Sequence, residues 1–396
     1  MSASNTRDLR FDAIRGFALL LITIDHIEWF TGSNLLRDYT LHGLSFCDAA
    51  EVFVFISGIV CGIAYSRVLL KTGFWACQRK ATRRAIQLYL ANLLTLWAVF
   101  FLATILAEFG IVEKSHLHLR ALIEFPLRML PHVALQFYQP FAFDVLTLYC
   151  HLLLVLPIFL IGLVKRPTLT WIIVIGIYLF AQAFPAVNYP IYISRLEELS
   201  TRARPFNHFA WFMLFFMGSA FGYAYSQGRR FSIPNWMLAT ALTITVLIAE
   251  FNITGHAYAN DPFFPWREDI MNQLQDLGLL SKPRLGAIRL LAFFSLIVIA
   301  VRLMPSSVSL SRHELSKALV GVGQNTLFLF CLSLVLVFAT DIVFALLPES
   351  SWTVGGCHLA ICGTLLAVGY YLFRVPAGKP EQNLTEDTSA GNDIDG

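Results

Sequence analysis

RDLRFDAIRGFALLLITIDHIEWF, residues 7–30, is the stretch that decides the fold. It opens polar and basic, then becomes a continuous apolar run that still carries Asp12, Arg15, Asp25 and His26. An ionisable side chain at the centre of a bilayer costs roughly 2.5–3.5 kcal/mol on insertion scales, so such residues are functional suspects. Arg15 and His26 lie eleven residues apart. At about 100° per residue they share one helix face, about 16 Å apart in height. That face carries a fixed cation low down and a titratable imidazole high up.

The rest of the chain has the composition of a membrane protein. Of 396 residues, 57% are hydrophobic and 14% charged, against about 25% charged in soluble domains. We expect an all-α fold, a polytopic integral membrane helix bundle with about ten transmembrane helices. It forms a single domain over residues 1–375, and the polar tail 376–396 is expected to be disordered. A net charge of +3 gives no reason to invoke nucleic acid. The seven cysteines contain no CxxC pair and read as small buried hydrophobes rather than a disulfide framework or metal site. The first helix is too long and too ionisable for a signal-peptide core, and is expected to stay in the mature protein.

Ten apolar spans are expected at approximately 11–30, 47–70, 85–108, 143–164, 169–187, 208–226, 235–251, 286–304, 321–347 and 353–373. Lys71, Arg79, Lys80, Arg83, Arg84, Lys165, Arg166, Arg229, Arg230, Arg312, Lys317 and Arg374 all fall on one side of this scheme, whereas 31–46 holds only Arg37. The positive-inside rule then puts both termini in the cytoplasm. Residues 110–140 are too polar for a span and are assigned to an external, interfacial helix and loop. The long connections 188–207 and 252–285, with their aromatics and prolines, are expected to be ordered.

Direction converts the sequence into layers. Arg15 falls at the inner level, beside Arg79, Lys80, Arg83 and Arg84. His26 falls at the outer level, with Asp25, Asp48, Glu51, Asp144, Asn207 and His208. His26 has the chemistry of a general base, and a neighbouring carboxylate would fix its tautomer. Asp25 sits about 100° round the helix from it, so Asp48, Glu51 and Asp144 are equally good partners. The packing alternative is a histidine hydrogen-bonded inside the bundle. Arg15 either binds an anion or pairs with Asp12 at the i,i+3 spacing. The basic cluster either receives a phosphorylated donor or only sets topology. Ser57-Gly58 permits close helix approach or a slot beside the first helix. Gln324, Asn325 and Asp341 either line a pathway or bond neighbouring helices. Arg202, Arg204, Arg284 and Arg289 either hold an anionic acyl group or glucan, or pair with Glu197, Glu198 and Asp276; Asn207, His208 and Arg204 are the acceptor-side candidates. HExxH, P-loop, GxGxxG and GxSxG patterns are missing, which argues against a zinc protease, a P-loop ATPase and a lipase of the GxSxG type.

RDLRFDAIRGFALLLITIDH (7–26), FCDAAEVFVFISGIVCGIAYSR (46–67) and QPFAFDVLTLYCHLLLVLP (139–157) resemble the OpgC family of bacterial inner-membrane proteins. That family is associated with adding acyl groups, typically succinyl, to osmoregulated periplasmic glucans. It is related to wider transmembrane acyltransferases that share an arginine and a histidine separated by ten residues in the first helix. The resemblance implies that His26 is the key catalytic residue and Arg15 a helper toward the acyl-CoA path. Lys80-Ala81-Thr82-Arg83 is an imperfect counterpart of the group's cytoplasmic RxxR element, since lysine lacks the bidentate geometry of arginine. The implied reaction is transmembrane O-acyl transfer to a periplasmic glucan. Acyl-CoA, typically succinyl-CoA, would be the donor substrate, with no tightly bound cofactor. Membrane lipid and glucan-synthesis proteins would be the other partners. A pantetheine arm suits the gap between inner cations and outer histidine. The rival readings are a transporter of glucan or another envelope solute, since intramembrane charges also mark transport routes, and a non-catalytic partner of glucan-making enzymes.

Overall fold

The computed structural model describes residues 8–33, 35–36, 39–110, 119–140, 142–185, 187, 206–229, 232–257, 266–303, 307–347 and 350–374. Every regular element among them is a helix: α1 (Leu9–Thr31), α2 (Leu41–Leu44), α3 (Ala49–Thr72), α4 (Phe74–Glu108), α5 (Arg120–Glu124), α6 (Pro126–Ala134), α7 (Asp144–Lys165), α8 (Pro167–Ala183), α9 (His208–Ser226), α10 (Asn235–Ala257), α11 (Trp266–Asp276), α12 (Ala287–Leu303), α13 (Ser307–Leu310), α14 (Glu314–Gln324), α15 (Thr326–Phe338), α16 (Thr340–Leu346) and α17 (Ser351–Leu372). Among the described residues, five stretches are long and apolar enough to cross a membrane: α3, α4, α7, Thr326–Phe344 and α17. Shorter apolar helices are Pro167–Ala183 and Asn235–Phe251. α1 has the length, but its apolar run is interrupted by Asp12, Arg15, Asp25 and Glu28.

Two expected spans change form. The third begins at Phe74 rather than near residue 85, because Gly73 (φ 86°) alone makes the turn after α3. Residues 79–84 are therefore helical, not a loop. The ninth is broken into α14, α15 and α16, with joints at Asn325 and Ala339. Asn325 Nδ2 donates back to the Gly321 carbonyl at 2.9 Å, while Gln324 Nε2 donates to the Arg374 carbonyl and its Oε1 accepts the Arg374 N–H, each at 3.2 Å. Both side chains thus bond local and neighbouring backbone. Residues 119–134 fold as the short helices α5 and α6 rather than a span. The tail 376–396, most of 188–207, residues 258–265 and the side chain of Asp341 lie outside the described residues. All seven cysteines are free, with Cys47, Cys77, Cys150 and Cys357 buried.

The closest packing joins α3 to α9. Gly58 and Gly62 lie against the carbonyls of Phe215 and Ser219, and Gly218 and Gly222 against those of Phe55 and Ile59. A Cβ at any of the four would strike backbone, so two GxxxG segments dock in parallel through glycine. The packing role read for Gly58 holds, with α9 as its partner. Other contacts set directions. α7 runs parallel to α9, through His151–His208 (ring centroids 5.1 Å) and the Phe159–Phe216 stack (4.3 Å). α4 is antiparallel to α7, with Gln78 bonded to the Leu154 carbonyl and Asn92 to Thr147. α12 runs with α3, through Arg289–Glu51 and Phe293–Phe55. α15 runs with α1, through Thr326–Arg15 and Val337–Ile27. α17 opposes α1, placing His358 beside Glu28. Consecutive long helices therefore alternate in direction wherever these contacts define it.

Candidate functional site

One end of the bundle is organised by the start of α3. Asp48 is its N-cap, accepting the Ala50 N–H at 2.9 Å, and Glu51 Oε2 accepts the Asp48 N–H at 3.0 Å. This capping box puts two carboxylates at the positive end of a helix dipole. Both are buried, and a buried charge is costly unless paired. Arg289, from the first turn of α12, supplies one cation: its Nε and Nη2 donate to Glu51 Oε1 at 2.8 and 2.5 Å, and Nη2 lies 3.4 Å from Asp48 Oδ2. Lys282, from the loop before α12, supplies the other, with Nζ 2.6 Å from Asp48 Oδ2. Burial alone would lower the Lys282 ammonium, but the Asp48 and Glu51 carboxylates outweigh it and hold it above the usual lysine value. Two anions and two cations balance.

His26 stands beside this quartet, where the charges of Lys282 and Asp48 both act on its imidazole. Among the candidate partners, Asp48 is one whose charge acts on it. Glu51 has one oxygen on Arg289 and the other on the Asp48 amide. Asp25 accepts the Thr40 hydroxyl at 3.2 Å. Asp144 is buried in the first turn of α7. Asn207 spends its side chain on structure: Oδ1 caps α9 through the Phe209 and Ala210 N–H groups, and Nδ2 donates to the Val187 carbonyl. His208 is buried against His151. Arg202, Arg204, Glu197 and Glu198 lie outside the described residues.

Deeper along α1, Arg15 donates from Nη2 to the Thr326 hydroxyl at 2.5 Å and holds its guanidinium 5.9 Å from the Phe53 ring centroid. It borders a cavity of about 250 Å³, whose walls include Ser57, Cys61, Tyr65, Lys80, Arg84, Val145 and Tyr149. From Phe53 to Tyr65 this slot follows α3 for about 18 Å. Its far end carries the exposed cations Lys80 and Arg84; its near end, at Phe53, is about 7 Å of helix from Asp48.

The four basic residues grouped in the sequence do not act as one cluster. Lys80 and Arg84, four apart on α4, border the slot, where Lys80 Nζ lies 5.2 Å from the Tyr65 ring. Arg79 and Arg83 point to a different face, into a shallow groove with Trp75, Gln78 and Thr82. Helix periodicity separates them.

Sequence reading missed Lys282 altogether. Its sequence signal was weak, because it is one of three basic residues, with Arg267 and Arg284, on the connection 252–285. It considered pairing Arg289 with Glu197, Glu198 or Asp276, whereas Arg289 binds Glu51 and Asp48. Glu28 and His358 were also missed. Both are buried, with Glu28 Oε1 accepting the Leu36 N–H and lying 3.5 Å from His358 Nε2, a contact that fastens α1 to α17. Among the described residues no group of three or more His, Cys, Asp or Glu is arranged to hold a metal ion.

A family model described as OpgC protein covers residues 7–377. No curated protein and no solved structure matches the chain.

Proposed function

The chain belongs to the OpgC family, and from that premise, which points to modification of osmoregulated periplasmic glucans, we propose that it is a membrane-bound O-acyltransferase. The donor is acyl-CoA, specifically succinyl-CoA, arriving from the cytoplasm. The acceptor is a glucan hydroxyl on the periplasmic side of the inner membrane. The observation that supports this reading is the slot: a cavity with Lys80 and Arg84 at its mouth, Arg15 along its wall and, beyond its other end, Asp48, whose charge acts on His26.

In this mechanism Lys80 and Arg84 hold the donor phosphates, and the pantetheine arm lies along α3 past Arg15. The thioester reaches His26. The acceptor oxygen attacks the carbonyl carbon while its proton passes to the imidazole, and the departing CoA sulfur takes that proton as the C–S bond breaks. Asp48 orients the imidazole and stabilises its protonated form. A variant in which His26 itself carries the acyl group uses the same geometry. Ten membrane crossings with both termini in the cytoplasm fit the alternating helix directions and the one-sided Lys and Arg distribution.

The test is the full-length protein in vesicles, supplied with radiolabelled succinyl-CoA on the cytoplasmic face and unsubstituted glucan on the other. Label is expected on the glucan, and His26→Ala is expected to lower its transfer about 100-fold or more. Full transfer by His26→Ala overturns the mechanism. Glucan crossing without modification establishes the transporter instead.

A further inference from the structure

The loop joining α11 to α12 is held far more firmly than a connection needs. Trp211 Nε1 donates to the carbonyls of Lys282 and Pro283 at 3.3 and 3.2 Å, and the Asn207 N–H donates to Pro283 at 2.8 Å. Gln182 Nε2 donates to the Arg284 carbonyl at 2.6 Å, and the Tyr178 hydroxyl to that of Leu285 at 2.9 Å. Four consecutive carbonyls are thus tied down from α8 and from the start of α9. Leu285 accepts a left-handed backbone (φ 54°) to complete the bend, a strained conformation for a residue with a Cβ. What this framework presents is the ammonium of Lys282, 2.6 Å from Asp48 Oδ2 and close enough for its charge to act on His26.

Neutralising the buried carboxylates accounts for part of that placement, yet Lys282 differs from the rest of the quartet. The side chains of Asp48, Glu51 and Arg289 are 4%, 0% and 8% exposed, whereas that of Lys282 is 37% exposed. The side chain therefore runs from the open side to the buried charges, and the charge it carries there acts on the His26 imidazole.

We propose that Lys282 is the cation that stabilises the oxyanion of the transfer step, a role that rests on the acyl-transfer reading above. When the acceptor oxygen attacks the thioester carbonyl, the π pair moves to the carbonyl oxygen and the acceptor proton moves to His26. Lys282 holds that oxygen's negative charge without giving up a proton. The pair then returns, the C=O bond reforms, the C–S bond breaks, and the thiolate collects the proton from His26. A preorganised cation at the point where charge develops lowers the barrier because it is already oriented before the reaction begins.

The experiment uses the vesicle assay with wild type, Lys282→Met, Lys282→Arg, Glu51→Gln and the double variant Glu51→Gln/Lys282→Met. In the Glu51→Gln background Arg289 is released to Asp48, so removal of Lys282 leaves the remaining charges balanced. Lys282→Met is expected to lower kcat about 100-fold, the scale of a lost oxyanion donor, with KM for succinyl-CoA little changed. Lys282→Arg retains part of the rate. The double variant is expected to fall by a similar factor below Glu51→Gln, at unchanged melting temperature. An undiminished kcat in Lys282→Met overturns the proposal. So does a double variant as active as Glu51→Gln, which would leave Lys282 a counter-ion only. If Lys282→Met does not fold, the comparison of the double variant with Glu51→Gln decides alone. If wild type transfers no label, the acyl-transfer reading falls and takes this role with it; if wild type transfers and every Lys282 variant matches its parent, only this role falls.

Discussion

At the end of the bundle where α3 begins, Asp48 and Glu51 meet Lys282 and Arg289 at 2.5–3.4 Å. At the mouth of the slot, Lys80 and Arg84 have a tyrosine ring and the Gln87 side chain as partners and, among the described residues, no carboxylate. Both regions are rich in ionisable groups, but they handle charge differently. The first is balanced internally and mostly buried, so Asp48, Glu51 and Arg289 hold geometry and only Lys282 reaches the open side. The second leaves positive charge exposed, so it has charge left to offer an anion. A charge that is already matched fixes structure; one that is not can recruit a ligand.

The comparison is broken most directly at Arg289. Arg289→Met strands Glu51 in the interior, and removing one partner of a buried pair costs about 3–5 kcal/mol. A large drop in thermal stability in detergent is expected, largely recovered by adding Glu51→Gln. A stability equal to wild type would show that the quartet does not hold the fold. Next in size is the α3–α9 seam that positions Asp48. Gly218→Leu drives a side chain into the Phe55 carbonyl, and overpacking of this kind costs about 1–3 kcal/mol, read as a lower melting temperature and reduced yield.

At the other end the expectation reverses. Lys80→Ala with Arg84→Ala is expected to raise KM for acyl-CoA about 10-fold, equivalent to about 1.4 kcal/mol of binding, with no change in melting temperature. Arg79→Ala with Arg83→Ala, on the other face of α4, should leave KM within about 2-fold. Equal effects from the two pairs would erase the distinction between slot and groove. The smallest effect belongs to Gln324→Ala, which removes two hydrogen bonds to the Arg374 backbone and is expected to cost about 1 kcal/mol, measurable as a small shift in unfolding midpoint.

Much of this architecture is legible in the chain because it depends on local pattern. Apolar run length marks the places of the long helices. The same pattern separates residues 119–134 from a span, because Arg120, Glu124, Pro126 and Arg128 interrupt them. Placing Asp48, Glu51, Asp144, Asn207 and His208 at one level needs only helix starts and alternating direction, and each of the five lies in the cap or first turn of α3, α7 or α9. The division of Arg79, Lys80, Arg83 and Arg84 was available too, since residues four apart share a face. It was lost by treating 71–84 as a loop, when Gly73 alone makes the turn.

What the sequence determined by itself is the all-helical class, the places of the long apolar helices, the Arg15–His26 spacing and the helix ends at which polar groups accumulate, because each follows from helical repeat and local hydropathy. Tertiary structure alone decided which charge meets which. Arg289 reaches Glu51 across 238 residues of chain, and Lys282 reaches Asp48 only because Trp211, Asn207, Gln182 and Tyr178 hold its loop. Glycine contacts between α3 and α9 fix where that meeting takes place. Ion pairs across a bundle depend on helix rotation and depth, which are set by packing between distant segments and leave no periodic mark on either one.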